Sequence, residues 1–468
     1  MASRGGDDDA FNLFGGPPAK RSSMSADAAC DDTQLFPTPS IPSTSTAFTD
    51  RPFDLFPSKP VHPQRQDLDE LFPTTCDTAP SSLPPRAVTL SRGESATPSL
   101  VQDEFKKAGN AMDIILVRNA DGTSIGCTPW HVAFSFSRFL PSGVGDRVDV
   151  YCNGVQLPAP MVLGDKGRVL FASGREQPDD LTLAAISSIL PMDFPPLYAT
   201  LRFEHRKPLT CVVRVVECRM YLWDPDAAVV VADLDGTITI NDVEGHIRTL
   251  RLGQYNFIHA GVCEFYARLH RIGLRILYLT ARPINWADAS RDHLDGAEQN
   301  GVRLPPGPLL TNSRGLTGAL LTEVVHKTPH VFKANVLNSV QLACISGGRQ
   351  SPHPLFVAGF GNRQTDVHAY ADVGIPAICV IDASSRLQVA VPRPSTAPET
   401  LPPFDSYADP RAMRWLLTRL RVPIALADKV DAHLAEMIVA ADEYDTRRRG
   451  IVAQQLEQQQ RHRNTHSF

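Results

Sequence analysis

The chain has 468 residues, a formal net charge of −5 and nine cysteines without a Cys-x-x-Cys pair. No stretch approaches the ~18 apolar residues that a membrane-spanning helix needs, and the first residues lack the apolar core of a signal peptide. Cysteines scattered through apolar segments are typical of buried thiols in a reducing compartment, so we expect a cytoplasmic protein, and no nucleic-acid partner is predicted.

Residues 1–96 are predicted to be a disordered tail, because they are rich in Pro, Ser, Thr and Asp and poor in aliphatic side chains. Four Leu-Phe pairs recur in this tail, and they end at Phe14, Phe36, Phe56 and Phe72. Such pairs are typical of short motifs that dock on adaptor proteins. Chance recurrence in a segment of low complexity is the alternative.

Residues 97–173 are predicted to begin with a short helix and to continue as strands. Thr97 can cap the helix, and Pro98 is favoured at a first helical position. The apolar face of this helix includes Phe105 and adjoins two lysines, so residues 98–108 either bind a membrane or simply lead into the domain. The segments that follow alternate apolar and polar residues between Gly-containing turns, which predicts β structure.

Two further segments precede the central part of the chain. Residues 174–196 contain several Pro and Asp residues and are predicted to be a linker. Residues 197–225 predict additional strands, although neither set of strands is large enough for a complete sandwich.

Residues 226–385 alternate apolar strands with helices, which predicts an α/β fold with a doubly wound parallel sheet. The first strand ends in Asp233-Leu-Asp235-Gly-Thr237, where Gly236 permits a tight turn. Two carboxylates this close repel each other unless one is protonated or a cation lies between them. The pair therefore indicates a divalent metal together with a nucleophile and a proton donor.

Other polar residues follow the later strands of this segment. Thr280 comes directly after the second strand, and Asn362 and Asp366 follow the third. Lys333 lies at the start of another predicted helix. Because the carboxyl ends of parallel strands meet at one edge of a sheet, we expect the groups at the strand ends to lie beside the two aspartates.

The order of these motifs resembles that of the haloacid-dehalogenase superfamily of aspartate-nucleophile phosphatases. Their residue sequences are similar to the motifs of lipins, which are magnesium-dependent phosphatidate phosphatases. The motifs are Asp233-Leu-Asp-Gly-Thr-Ile-Thr239, Leu279-Thr-Ala-Arg282, Val331-Phe-Lys333 and Phe360-Gly-Asn-Arg363. Upstream, Cys127-Thr-Pro-Trp-His-Val132 resembles the lipin amino-terminal domain. The resemblance covers roughly residues 108–173 and 196–385.

This resemblance implies that the two β segments combine into one immunoglobulin-like β-sandwich beside the catalytic domain. It also implies hydrolysis of phosphatidic acid to diacylglycerol in phospholipid synthesis, with reversible binding to the surface of the endoplasmic reticulum or nuclear membrane. The short connection between the two halves makes this a compact lipin-like chain, and the amino-terminal extension departs from the family.

The resemblance also implies roles for individual residues. Asp233 would attack phosphorus and form an aspartyl-phosphate, while Asp235 would protonate the leaving oxygen and then activate water. Thr280 would donate a hydrogen bond to the phosphoryl group, and Lys333 would neutralise its oxygens. Mg²⁺ would be held by Asp233, by the backbone carbonyl of Asp235 and by Asn362.

Several neighbours of these residues have less defined expected roles. Asp366 either faces the metal through water or orients the residues around it, and we favour the second role. Arg282 and Arg363 either contact the phosphate or headgroup or form structural salt bridges. Gly236 and Thr237 complete the loop that carries the two aspartates.

Residues 386–468 are predicted to be a Pro-rich connector and a helical tail, with helical patterns at 410–421 and 423–459. The mixed charges of the second pattern indicate a solvated or self-associating helix.

Two alternatives to a phosphatidate phosphatase stay open. The same chemistry could act on another lipid or on a soluble phosphomonoester. A non-catalytic phosphatidate-binding module is the other alternative, but the presence of both Asp233 and Asp235 argues against it.

Overall fold

The computed structural model describes residues 104–135, 143–190, 198–207, 212–240, 257–313, 329–390 and 402–465. The predicted disordered tail, with its pairs ending at Phe14, Phe36, Phe56 and Phe72, lies outside the described residues. All described residues belong to one compact unit.

The described part of the chain contains strands and α-helices, with short 3₁₀ turns at Asp165–Gly167 and Ile284–Trp286. The strands are β1 (Glu104–Lys107), β2 (Gly109–Ala111), β3 (Ile114–Arg118), β4 (Ile125–Cys127), β5 (Val132–Phe134), β6 (Arg147–Cys152), β7 (Val155–Gln156), β8 (Met161–Leu163), β9 (Val169–Phe171), β10 (Tyr198–Arg206), β11 (Val212–Trp223), β12 (Val229–Asp233), β13 (Arg275–Pro283), β14 (Glu298–Gln299), β15 (Val302–Arg303), β16 (Leu309–Asn312), β17 (Phe356–Gly361), β18 (Ile378–Ile381) and β19 (Leu387–Ala390). The helices are α1 (Asp180–Ile189), α2 (Val262–Arg271), α3 (Ala287–Gly296), α4 (Pro329–Ser346), α5 (Gln364–Asp372), α6 (Pro410–Leu417) and α7 (Ile424–Thr465).

Strands from both ends of the predicted linker combine in one β-domain. Its large sheet has the order β4-β3-β11-β10-β6-β8-β9, and β1 and β7 pair with β11 and β6. The long strand β11 pairs with β10 on one side and with β1 and β3 on the other. A separate ribbon of β2 and β5 contributes Ala111, Val132 and Phe134 to the same apolar core as Trp130.

The predicted lead-in helix is wrong in its described part. Residues 104–107 form β1, which pairs in parallel with the first residues of β11. Phe105 is 54% exposed, and the Arg202 guanidinium lies 4.4 Å from its ring centroid. The open edge of β11 offers backbone partners that a local helical pattern does not reveal, so tertiary pairing overrides the local preference.

The predicted linker at 174–196 is also wrong, because its centre folds into α1. Asp179 caps this helix by accepting a hydrogen bond from the Thr182 amide at 2.8 Å. Leu183 and Ile186 of the helix pack into the core of the β-domain. The Arg118 guanidinium donates to the Leu190 carbonyl at 2.7 Å, which satisfies a backbone group at the end of the helix.

The second large sheet has the order β16-β13-β12-β17-β18-β19. Its first five strands are parallel, and β19 is an antiparallel edge strand. Val230 and Ala232 of β12 face one core with α2, α6 and α7. Val229 and Val231 face the opposite core with α4, α5 and the β-domain. Both faces are therefore covered, and the predicted α/β class is confirmed.

The carboxyl-terminal residues form part of this domain, so the predicted domain boundary at 385 is wrong. The helical patterns predicted at 410–421 and 423–459 are confirmed by α6 and α7, and most of the predicted Pro-rich connector lies outside the described residues. The strand β19 extends the sheet, and the backbones of Leu387 and Phe404 exchange hydrogen bonds of 3.0 and 2.8 Å. Helix α6 buries Met413, Trp415 and Leu416 in the core. The apolar residues of α6 recur at helical spacing, which predicts a helix. Only the packing shows that they lie in the core on one face of the parallel sheet. Residues 449–460 of α7 are exposed.

The β-domain and the α/β domain share a core. Tyr221 and Trp223 of β11 pack with Val229 and Val231 of β12. None of the described helices combines the length and the apolar character needed to cross a bilayer.

Candidate active site

The predicted strand-end residues converge at the carboxyl edge of the parallel sheet. Asp233 is the last residue of β12, and it is aligned with Leu279 of β13. Thr280 therefore follows at the same edge. On the other side of β12, Ala232 is aligned with Phe360, which places Gly361 and Asn362 next to Asp233 along the edge.

Side chains that bond to backbone groups hold the loop after Asp233 in a tight turn. Gly236 has a φ of 76°, a conformation that glycine adopts without strain. The Gly236 amide donates to Thr239 Oγ1 at 3.0 Å. The buried imidazole of His259 lies 3.3 Å from the Gly236 carbonyl through Nε2 and 2.7 Å from Ser385 Oγ through Nδ1. Burial lowers the pKa of His259, which favours a neutral ring.

The hydroxyl groups of two residues link this loop to Asp233 and to the carboxyl-terminal segment. Thr237 Oγ1 donates to Asp233 Oδ2 at 3.1 Å, and the Tyr407 hydroxyl donates to the Thr237 carbonyl at 3.2 Å. The sequence interpretation missed His259 and Tyr407. Neither lies near the aspartate motif in sequence, and no local pattern marks them.

Lys333, near the start of α4, lies between two buried carboxylates. Its Nζ is 2.5 Å from Asp233 Oδ1 and 2.6 Å from Asp366 Oδ1. Burial raises the pKa of Asp233 to about 7, and the nearby Asp366 and Asp235 add to this rise while Lys333 opposes it. Burial alone would lower the pKa of Lys333, but the attraction of the two carboxylates raises it above its ordinary value.

Asp366 also organises the backbone of the β17–α5 turn. Its Oδ2 accepts hydrogen bonds of 3.1 Å from the amides of Asn362 and Arg363. These contacts fit the orienting role predicted for Asp366. Asn362 is half-buried, and the side chain of Arg363 is exposed.

Asp235 is held by two side chains of β13. Thr280 Oγ1 donates to Asp235 Oδ2 at 2.9 Å. Arg282 Nε lies 3.0 Å from both carboxylate oxygens, and its Nη2 lies 2.5 Å from Oδ1. Arg282 Nη1 donates to Ser290 Oγ at 3.0 Å. Of the two expectations for Arg282, the structure contains the salt bridge, and its partner is Asp235.

The donor atoms predicted to hold Mg²⁺ are all oxygens, namely the Asp233 carboxylate, the Asp235 backbone carbonyl and the Asn362 amide. Mg²⁺ prefers oxygen ligands, and the charge of Asp233, Asp235 and Asp366 at one edge favours a cation. In the described ranges, no group of three or more His, Cys, Asp or Glu side chains could hold a metal. The predicted site uses only one carboxylate, together with a backbone carbonyl and an amide, so it would not form such a group. Its three oxygen donors fit Mg²⁺.

Comparisons with known proteins match two adjoining regions of the chain. Residues 103–188 match the family described as lipin, N-terminal conserved region, and residues 188–397 match LNS2 (Lipin/Ned1/Smp2). Phosphatidic acid phosphohydrolase 1 of Saccharomyces cerevisiae is 38% identical over 180 residues, which are 37% of this chain and 21% of the yeast protein.

Two further relatives have similar identities over matched regions of similar length. Human phosphatidate phosphatase LPIN3 is 38% identical over 167 residues, 36% of this chain and 19% of the human protein. Arabidopsis thaliana phosphatidate phosphatase PAH1 is 35% identical over 164 residues, 34% of this chain and 17% of the plant protein. The matched region thus spans about a fifth of the length of these relatives. The two family regions together cover residues 103–397, and the chain therefore belongs to the lipin family.

Proposed function

We propose that this protein is a Mg²⁺-dependent phosphatidate phosphatase that releases phosphate and diacylglycerol through an aspartyl-phosphate. The observation that carries the proposal is the buried Asp233 carboxylate, 2.5 Å from the Lys333 ammonium, with a second aspartate two residues along the chain. The names of the relatives supply the substrate.

In the proposed first step, a carboxylate oxygen of Asp233 attacks phosphorus and the bond to the diacylglycerol oxygen breaks. Asp235 gives its proton to that leaving oxygen. In the second step Asp235 takes a proton from water, the resulting hydroxide attacks phosphorus, and phosphate leaves Asp233. Lys333 offers a positive charge to the phosphoryl oxygens. The Thr280 hydroxyl, which donates to Asp235 in the structure, would turn to a phosphoryl oxygen when the substrate is bound.

The residues that would hold Mg²⁺ are Asp233, Asp235 through its backbone carbonyl, and Asn362. The bound ion would supply positive charge for the phosphoryl oxygens and for the crowded carboxylates. Because burial and neighbouring carboxylates raise the pKa of Asp233, a nearby cation would favour the ionised nucleophile.

The test is phosphate release from phosphatidate in mixed micelles, with Mg²⁺ and with EDTA. We expect Mg²⁺-dependent release from wild type and a loss of at least about 10²-fold in Asp233→Asn and Asp235→Asn, with unchanged circular dichroism spectra. Substantial activity in either variant would overturn the mechanism. Activity on a small phosphomonoester but not on phosphatidate would support the alternative substrate class.

We further propose that the protein binds membrane surfaces reversibly, because phosphatidate is a membrane lipid. Its six buried free cysteines in the described residues suit a cytoplasmic compartment, and we propose that it visits the endoplasmic reticulum or nuclear membrane. Flotation with phosphatidate-containing and neutral vesicles, together with fluorescence microscopy of the tagged chain, tests both proposals.

Two finer expectations from the sequence remain proposals. The β2–β5 ribbon and the large sheet share a core, which supports an immunoglobulin-like sandwich. The Leu-Phe pairs of the tail are proposed to bind adaptor proteins. Alanine substitution of Phe14, Phe36, Phe56 and Phe72 should abolish capture of such partners, and unchanged capture would exclude these motifs.

A further inference from the structure

A buried carboxylate of the β-domain, Asp113, makes most of its contacts with the α/β domain. Asp113 lies between β2 and β3 and is 1% exposed. Its Oδ1 lies 3.0 Å from Arg291 Nε and 2.9 Å from Arg291 Nη2, and it accepts from the Arg219 amide at 3.1 Å. Its Oδ2 accepts from the Leu309 amide at 3.0 Å. Four donors from three residues thus converge on one side chain.

Two of these partners belong to elements that flank Arg282 on β13. Arg291 lies on α3 directly after Ser290, whose hydroxyl accepts from Arg282 Nη1 at 3.0 Å. Leu309 begins β16, which pairs with β13. Asp113 therefore ties the helix and the strand on either side of Arg282 to the β-domain.

Arg291 itself is held on several sides. Its Nη1 lies 2.6 Å from Asp288 Oδ1 on the same helix, and its Nη2 donates to the Ala111 carbonyl at 3.0 Å. Because each nitrogen of the planar guanidinium has a partner, a shift of the helix by an ångström would break hydrogen bonds across the domain contact.

We propose that Asp113 and Ser290 are positioning residues for Asp235, acting through α3 and Arg282. This inference rests on the proposed function, in which Asp235 transfers the proton to the leaving oxygen. Proton transfer requires hydrogen-bond distance and alignment, and small misplacements of a catalytic group reduce rates strongly. The β-domain thereby contributes to the chemistry without touching the substrate.

The test compares two substrates with different needs for a proton. A water-soluble short-chain phosphatidate has an alkoxide leaving group that must be protonated, whereas p-nitrophenyl phosphate releases a stable anion. The variants are Asp113→Asn, which removes the charge at similar shape, and Ser290→Ala, which removes the acceptor of Arg282. The control is Asp295→Asn on the same helix, which removes the charge of a 48% exposed carboxylate from its pair with Arg219 of β11 at the same domain contact.

We expect Asp113→Asn and Ser290→Ala to lower kcat/KM for the phosphatidate by about tenfold or more, and that for p-nitrophenyl phosphate by less than about threefold. The loss should lie in kcat, with KM nearly unchanged. The control should stay within about twofold of wild type on both substrates, because Asp295 is exposed and, among the described residues, pairs with Arg219 rather than with Arg282 or Asp235.

Equal losses on both substrates would mean a merely structural role and would overturn the inference, as would full activity of both variants. If Asp113→Asn fails to fold, Ser290→Ala, which loses only one hydroxyl group, decides the question. A wild type that hydrolyses neither substrate would overturn the proposed function and this inference together. If the wild type is active and the variants lose kcat/KM equally on both substrates, only the inference is overturned.

Discussion

Lys333 illustrates how one residue depends on partners that are far away in sequence. Its ammonium lies between Asp233 and Asp366, and all three side chains are almost fully buried. Two buried carboxylates without this cation would repel each other in a medium of low dielectric constant. Lys333 is therefore expected to matter for folding as well as for phosphoryl transfer.

Lys333→Met should lower the free energy of unfolding by about 3–5 kcal/mol, because it leaves buried carboxylates without their cation. Urea unfolding monitored by circular dichroism measures this change. Adding Asp366→Asn to Lys333→Met should recover part of the loss, since one of the two carboxylates is then neutral.

The matched control is Arg303→Met, which breaks the Arg303–Glu298 pair, whose side chains are 71% and 43% exposed. Solvent screens that pair, so its loss should change stability far less. If Lys333→Met and Arg303→Met had the same free energy of unfolding, the buried ion pairs of Lys333 with Asp233 and Asp366 would contribute no more to stability than an exposed pair.

At the scale of elements, the carboxyl-terminal segment divides into a buried part and an exposed part. Phe404, Tyr407 and Trp415 belong to the core on one face of the parallel sheet. The Tyr407 hydroxyl also donates to the Thr237 carbonyl in the loop that follows Asp233. In contrast, residues 449–460 of α7 are exposed.

Removal of residues 450–468 should leave the melting temperature and phosphatase activity close to those of the full chain, because residues 450–460 are exposed. Removal of residues 402–468 should abolish cooperative unfolding, since large buried aromatic side chains are lost and the core is opened. Thermal melts and activity assays of both truncations test this. Normal melting of the longer truncation would contradict the assignment of α6 to the core of the α/β domain.

At the scale of the whole molecule, glycine at position 126 lets the two domains pack closely. A Cβ atom on Gly126 of β4 would lie 1.9 Å from the Ala343 carbonyl oxygen of α4, the helix that carries Lys333. The absence of a side chain at Gly126 therefore allows the β-domain and this helix to pack backbone to backbone.

Gly126→Ala should force β4 and α4 apart and lower the free energy of unfolding by about 1–3 kcal/mol or more, as overpacking of cores does. Gly164→Ala is the control, because its Cβ would be 3.4 Å from the nearest atom, the Arg168 carbonyl oxygen, which is an ordinary contact. Equal stability of both variants in urea unfolding would contradict the close approach.

The sequence by itself determined the α/β class, the family and the positions of the strand-end residues. A run such as Val229–Asp233 has the apolar composition of a strand buried on both faces, and the carboxyl end of a parallel strand is a predictable place for functional groups. Asp233, Thr280 and Lys333 could be proposed because each lies in a short motif that is contiguous along the chain.

Only the tertiary structure decided the partners that come from elsewhere in the chain. Three hydrogen bonds are examples. Arg282 and Asp235 are 47 positions apart, Asp113 and Arg291 are 178 apart, and Thr237 and Tyr407 are 170 apart. The strand β1 and the helix α1 likewise differ from the predictions because the edge of β11 and the core of the β-domain stabilise them. Local patterns report propensity and periodicity, whereas these contacts depend on which surfaces the folded chain brings together.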